Sequence, residues 1–197
     1  MIHLVVALPA EADPLIERLG LQRDPSARAS KLYVGEAARL LVSGVGRRAA
    51  AEAVESLRRL GSEDDPLWAN VGIGAHRSLP LGQLVVVEAV VGAGEDRWQP
   101  LAVHAPDLPT ATVVTVDRPQ RDLDDDRLYD MEAAGFLPAL SSRPPERRIA
   151  CLKVVSDRGA DSPGELTRAQ VRALVGRNAG RIERLLRAAV ELGVRAG

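Results

Sequence analysis

The sequence is poor in the residues that build disulfide-linked or metal-held scaffolds. Its 197 residues include a single cysteine, Cys151, so no disulfide can form within the chain, and no cysteine–histidine cluster has the spacing of a zinc site. Aspartates recur in the stretch DLDDD at 122–126, but such runs are usually solvated loop residues. We therefore expect no metal and no other cofactor.

Strong net charge and long apolar segments are also missing. The formal net charge is −1, which argues against a nucleic-acid binder that relies on positive charge. No stretch approaches the roughly 18 apolar residues that span a bilayer. The opening MIHLVVALPAEADPL lacks the charged start and the apolar length of a signal peptide. We expect a cytoplasmic protein with neither nucleic acid nor membrane as a partner.

The composition that remains is that of a globular domain, with 46% hydrophobic and 27% charged residues. The length suits one domain over 1–197 that buries roughly 70% of the surface exposed by the unfolded chain.

Short apolar runs alternate with segments of helical periodicity. The runs predict strands, and the periodic segments, one of them opened by the capping box TRAQ at Thr167, predict helices. The strands are expected at 2–8, 31–35, 38–44, 67–74, 82–92, 110–116 and 148–157, and the helices at 9–19, 46–61, 131–141 and from 167 onward. Because most strands are apolar on both faces, we predict an α/β domain with a mixed central sheet flanked by helices.

Several polar or glycine-rich positions follow the carboxyl ends of these strands, where open α/β sheets bind ligands. They are Glu11, Glu132, Asp157 and the glycine turns at 43–48 and 72–76. Each has an ordinary structural interpretation: a first-turn carboxylate favoured by the helix dipole, a cap, or a tight turn. Those interpretations explain poorly why all of them fall at one end of one sheet, so the pattern favours a ligand site.

The segment DRLYDMEAAGF places a charged pair, Asp130 and Glu132, at a predicted helix start. Pro138 is tolerated only in the first turn of a helix. We therefore expect the regular helix to begin after the Asp-Met-Glu triplet, near 134–137, which leaves the triplet at the strand-to-helix junction.

Five stretches resemble one family in their chain order: VVALPAEADPL, LLVSGVGRRAAAEA, NVGIGAHRSLPLGQLVVV, YDMEAAGF and KVVSDRGAD. They are similar to the purine nucleoside phosphorylase/uridine phosphorylase superfamily, and most of all to its methylthioadenosine/S-adenosylhomocysteine nucleosidases. The resemblance implies the three-layer fold of nucleoside phosphorylases and cleavage of the N-glycosidic bond of a modified or 5'-substituted adenosine-like nucleoside. It also implies a homodimer or a higher homo-oligomer.

The resemblance also implies a role for each matching position. The acid at Glu11 would activate the attacking water, and Asp157 would protonate the departing purine. Substrate would be bound by Met131 and Glu132 at the ribose, by Asp130 and Ser156 beside them, and by backbone at Val45, Gly74 and Ala75. An acid at the base, a base for water and a carboxylate near the sugar meet the demands of glycosidic cleavage.

Two alternatives stay open. Phosphorylases of the superfamily bind phosphate with arginines, whereas the corresponding stretches here are ALPAEA and ANVGIG, which favours hydrolysis; Arg47 or Arg77 could still supply an unusual phosphate site. The other alternative is a non-catalytic nucleoside-binding or regulatory protein. Retention of Glu11, Glu132 and Asp157 counts against it.

The base pocket departs from the family pattern. Ile73 replaces a small hydroxyl residue, and 117–119 (Asp-Arg-Pro) replaces the stacking aromatic. Trp98 is either a stacking surface or a rim residue, and His76 either contacts substrate or is structural. The stretch between 90 and 117 is also shorter than in the family.

Overall fold

A computed structural model describes residues 1–27, 31–61, 66–92, 96–100, 103–123, 126–140, 148–161 and 166–195. The described residues form ten strands and four α-helices. The strands are β1 (Ile2–Val6), β2 (Gln22–Arg23), β3 (Lys31–Val34), β4 (Ala38–Val42), β5 (Leu67–His76), β6 (Leu84–Val91), β7 (Arg97–Trp98), β8 (Thr110–Thr115), β9 (Leu128–Asp130) and β10 (Ile149–Asp157). The helices are α1 (Pro9–Leu19), α2 (Arg47–Arg59), α3 (Ala133–Phe136) and α4 (Arg168–Arg195).

The strands join in one mixed sheet in the order β10-β6-β8-β9-β5-β1-β4-β3-β2, with β7 on β6. Since β10 also pairs with β5, the strands β5, β10, β6, β8 and β9 close on themselves. The pairs β1–β4, β1–β5 and β5–β10 are parallel, so their carboxyl ends meet at one edge. The predicted mixed α/β fold is confirmed.

Helices cover both faces of the sheet because successive strand residues point to opposite sides. In β1, Leu4 joins the core beneath α1 and α4, whereas Val5 joins the core beneath α2 and α3. The first core includes Leu15 of α1 and Ile182 of α4. The second includes Val54 and Leu57 of α2 and Phe136 of α3.

Most predicted strands and helices occur with small changes at their ends. The predicted capping box is present, since the Thr167 N–H donates to Gln170 Oε1 (2.8 Å) and the Gln170 N–H to Thr167 Oγ1 (3.3 Å). Gly20 ends α1 in the left-handed conformation, with φ 64°. The second predicted helix, 46–61, is slightly shorter than expected: α2 ends at Arg59, and Leu60 beyond it is 45% exposed.

The helix predicted over 131–141 is shorter than expected. It begins after the Asp-Met-Glu triplet, as predicted, but α3 ends at Phe136, and a 3₁₀ turn follows at Pro138–Leu140. Pro138 has no N–H to continue an α-helix, and the Leu140 N–H donates to the Leu137 carbonyl (3.0 Å). Residue 141 lies outside the described residues.

Gly135 lets α3 pack directly on the start of α2. A Cβ at this position would collide with the backbone carbonyl of Arg47, and neither backbone segment can move without disturbing the core between them. We expect Gly135→Ala to lower the free energy of unfolding by about 2 kcal/mol or more, measured by denaturant unfolding. The control is Gly176→Ala within α4, where the nearest atom to a new Cβ is Pro14 Cβ at 3.7 Å. There we expect no loss; equal effects at the two glycines would contradict the packing argument.

No helix among the described residues is long and apolar enough to cross a membrane.

Candidate active site

A cavity of about 180 Å³ opens at the carboxyl ends of β1, β5, β9 and β10. The predicted site residues all line it: Glu11, Val45, Gly74, Ala75, Asp130, Met131, Glu132, Ser156 and Asp157. The topology explains this convergence, since parallel neighbours in the sheet bring segments distant in sequence to the same edge.

Glu11 lies in the first turn of α1 and is only 2% exposed. Its Oε2 accepts a hydrogen bond from the Leu8 N–H and its Oε1 one from the Ile73 N–H, both at 2.8 Å. The first bond caps α1, and the second ties the helix to β5. The close approach of the Glu11 carboxylate to β5 needs a glycine at 72, because a Cβ there would lie 3.0 Å from Glu11 Oε1.

Burial raises the pKa of Glu11 to about 7, although its two backbone hydrogen bonds and the Lys153 charge lower it. A carboxylate with a pKa near neutrality is suited to accept a proton. Glu11 is therefore both a helix cap and the cavity's candidate base.

The Glu132 side chain connects the glycine turn at 43–48 with its own turn at 130–132. Its Oε1 accepts from the Gly46 N–H (2.9 Å), at the start of α2, and its Oε2 accepts from the Met131 N–H (3.3 Å). Burial raises the pKa of Glu132, while the Lys153 charge lowers it and the Asp130 charge raises it further. Each oxygen keeps a lone pair with which to accept a hydroxyl donor from a ligand.

Asp130 belongs to the cavity lining, but its carboxylate is engaged by other groups of the protein. Its side chain is fully buried (0% exposed) and forms an ion pair with Lys153, Oδ2 to Nζ 2.7 Å. Its Oδ2 also accepts from the Ala133 N–H (2.9 Å), and its Oδ1 accepts from Thr115 Oγ1 (2.6 Å). The carboxylate thus has its partners within the protein, beneath the turn that carries Met131 and Glu132.

Ser156 and Asp157 are placed by an irregularity at the end of β10. The register with β5 shifts between Val155 and Asp157, so that Asp157 pairs with Ala75; such bulges re-aim side chains at sheet edges. The Ser156 hydroxyl lies 2.9 Å from Asp157 Oδ2 and 3.1 Å from the Gly74 carbonyl. Asp157 Oδ1 accepts from the Gly159 N–H (3.0 Å). These contacts fix the carboxyl at the cavity wall.

Lys153, Tyr129, Pro119 and Gln120 were not predicted as site residues. The last three line the cavity, and the carbonyl of Arg121, next to Gln120, accepts from the Ala160 N–H (2.8 Å) just beyond Asp157. Loop residues without a motif give no sequence signal. Lys153 does carry a sequence signal, because a lysine within an apolar strand needs a buried partner of opposite charge.

His76 and Trp98 lie outside the cavity lining. His76 Nδ1 accepts from the Ser78 N–H (3.2 Å) and the Leu79 N–H (3.1 Å). Burial lowers the pKa of His76, and Asp126 raises it. The geometry therefore matches the structural alternative for His76. Trp98 packs beside Gly92, away from the lining.

No arginine or lysine belongs to the cavity lining among the described residues. Arg47, one of two candidate phosphate ligands, forms an ion pair with Asp117 (Nη2 to Oδ1 2.6 Å); the other, Arg77, is not part of the lining either. Within the described part of the chain, no three His, Cys, Asp or Glu side chains are grouped to hold a metal. Asp124 and Asp125 of the acidic run lie outside it.

Several solved structures with this fold are described as nucleosidases. The chain superposes on 5'-methylthioadenosine nucleosidase from Arabidopsis thaliana with a TM-score of 0.79 and 18% identity, covering 95% of both chains. A putative 5'-methylthioadenosine/S-adenosylhomocysteine nucleosidase from Borrelia burgdorferi bound to adenine gives 0.77 and 13%, covering 95% of this chain and 99% of that one. The S. pneumoniae nucleosidase with a transition-state inhibitor gives 0.74 and 15%, covering 95% and 98%.

No family model and no curated protein matches the sequence. The chain therefore has the fold of the methylthioadenosine/S-adenosylhomocysteine nucleosidases at low sequence identity, and the resemblance predicted from its motifs is confirmed at the level of the fold.

Proposed function

We propose that this protein hydrolyses the N-glycosidic bond of a purine-type nucleoside, with a modified or 5'-substituted adenosine-like nucleoside as substrate. The observation that carries the proposal is the buried Glu11 carboxylate, held by two backbone N–H groups in a cavity whose described lining contains no cation. A carboxylate in that position repels phosphate and suits the activation of water. The nucleosidase names of the structural neighbours support the same reaction class.

Glu11 would take a proton from the attacking water. Because its pKa is about 7, the carboxylate is ionised in a growing fraction of molecules as the pH rises through neutrality. Its backbone hydrogen bonds fix both oxygens, so no reorganisation is needed when the proton arrives.

Glu132 and Met131 would hold the ribose. The Glu132 oxygens can accept hydrogen bonds from sugar hydroxyls while Gly46 and Met131 N–H groups keep them oriented. A carboxylate next to the sugar also stabilises the positive charge that develops as the glycosidic bond breaks.

Asp157 would donate a proton to the leaving base. Its carboxyl is fixed at the cavity wall by Ser156 and the Gly159 N–H. Protonation of the base lowers the cost of its departure. Backbone at Val45, Gly74 and Ala75 would line the remaining sides, and the expected homo-oligomer stays a prediction.

The direct test is incubation with a panel of purine nucleosides, with and without 5' substituents, followed by chromatography for free base. We expect base release from at least one adenosine-like member. Binding without release from any member would favour a nucleoside-binding protein instead.

Gln120 is our candidate for contact with the base. It lines the cavity with Pro119 and Tyr129, in the segment where a stacking aromatic was expected, and a neutral amide can both donate to and accept from a purine edge. We expect Gln120→Ala to raise KM about 3- to 10-fold, the cost of one neutral hydrogen bond, with kcat changed less. The control is Gln22→Ala on the exposed strand β2. An unchanged KM in Gln120→Ala would remove Gln120 from the base site.

A further inference from the structure

Lys153 is a buried cation that the proposed chemical steps do not use. It lies in the middle of β10, opposite Gly72 of β5 and Val85 of β6. Its side chain is 1% exposed, and its ammonium contacts the equally buried Asp130 carboxylate at 2.7 Å. Ionised groups are almost never fully buried unless they are paired, so the two charges depend on each other.

The ion pair belongs to a hydrogen-bond network that shapes the turn carrying Met131 and Glu132, the proposed ribose-binding residues. Asp130 accepts from the Ala133 N–H and from Thr115 Oγ1, and Thr115 Oγ1 in turn accepts from the Ala134 N–H (2.9 Å). The network links the ends of β8 and β9 to the first residues of α3. Glu132 lies between β9 and α3, so the hydrogen bonds of Asp130 fix the backbone that carries Glu132.

The Lys153 charge also reaches the acids of the cavity. On Glu132, burial raises the pKa, Lys153 lowers it and Asp130 raises it. On Glu11, burial raises the pKa, the Ile73 and Leu8 N–H groups and Lys153 lower it, and Glu132 raises it. Desolvation lowers the pKa of Lys153 itself, but Asp130, Cys151 and Glu132 outweigh it and raise the pKa above its ordinary range.

A neutral pair would hold the same turn with less desolvation, because buried ion pairs are often no more stabilising than uncharged replacements. What a neutral pair lacks is a field acting on neighbouring carboxylates. We propose that Lys153 is a positioning residue of the active site: through Asp130 it holds the turn that presents Glu132, and its fixed charge favours the ionised forms of Glu11 and Glu132. The kinetic side of this inference rests on the proposed function; the electrostatic side applies to the free protein.

The experiment compares variants that keep or remove the charge. Lys153→Met alone leaves Asp130 buried without its ion-pair partner and is expected to destabilise the fold. Two neutral pairs, K153M/D130N and K153Q/D130N, remove both charges together, and either one that folds is used. Lys153→Arg is the matched control that keeps the cation.

The first readout is the titration of Glu11 in the substrate-free protein, followed by ¹³C NMR with labelled glutamate and assigned with Glu11→Gln. We expect the midpoint to rise by on the order of one pH unit in a neutral pair and to stay nearly unchanged in Lys153→Arg. A folded neutral pair with an unshifted midpoint would overturn the inference.

The second readout is the pH profile of kcat/KM for base release. The acidic limb should move to higher pH by the same amount as the NMR midpoint, since Glu11 must be ionised to act. A lower plateau with an unmoved limb would indicate a merely structural role. Because the NMR titration needs no turnover, failure of the proposed function and failure of this inference are distinguishable.

Discussion

Replacement of Asp157 by asparagine is expected to lower the rate of base release by about 10²–10⁴-fold while leaving the protein folded. The rate falls because an amide cannot donate the proton that a carboxylic acid gives to the leaving base. The fold survives because the asparagine oxygen can still accept from the Gly159 N–H, and the Ser156 hydroxyl can still donate to the Gly74 carbonyl. The measurement is kcat by chromatography of released base, with circular dichroism as the check on folding.

The matched control for this variant is Asp107→Asn. Asp107 is exposed and forms an ion pair with Arg181 on α4, away from the cavity lining. We expect it to change neither kcat nor KM. Undiminished turnover in Asp157→Asn would eliminate the proposed acid role.

The second large effect is expected at Glu11. Glu11→Gln removes the only candidate base in the described cavity wall that is anchored by backbone N–H groups of Leu8, just before α1, and of Ile73 in β5, and we expect kcat/KM to fall by about 10²–10⁴-fold. In the unsubstituted enzyme, kcat/KM should decrease below about pH 7, because Glu11, with its pKa at about 7, is then increasingly protonated and cannot accept a proton from water. The residual activity of Glu11→Gln should lack this acidic limb.

The control on the same helix is Glu17→Gln, whose side chain is 65% exposed and pairs with Arg172. It should keep both the rate and the pH profile of the unsubstituted protein. An acidic limb that persists in Glu11→Gln would assign the titration to a group other than Glu11.

The motifs of the sequence predicted the fold and the convergence of the site residues because both depend on local patterns. Apolar runs specify the strands, and a strand's carboxyl end marks where Glu11 and Asp157 must lie. The short strands β2, β7 and β9 were not predicted, since two or three residues carry no periodicity.

The position of Asp130 illustrates what local patterns cannot give. It directly precedes Met131 and Glu132, the two residues predicted to bind ribose, yet its carboxylate pairs with Lys153, which is distant in sequence. Tertiary pairing of buried charges is decided by the assembled sheet. The cavity-lining loop residue Gln120 escaped prediction for a related reason: its place depends on the hydrogen bond between the Ala160 N–H and the Arg121 carbonyl.

The central claim is that water, and not phosphate, is the second substrate. The most direct measurement is the reaction of the best nucleoside with and without phosphate, with the sugar product identified by mass spectrometry. Our account predicts equal rates of base release in the two conditions and an unphosphorylated sugar in both. Base release that requires phosphate and yields a sugar 1-phosphate would contradict it.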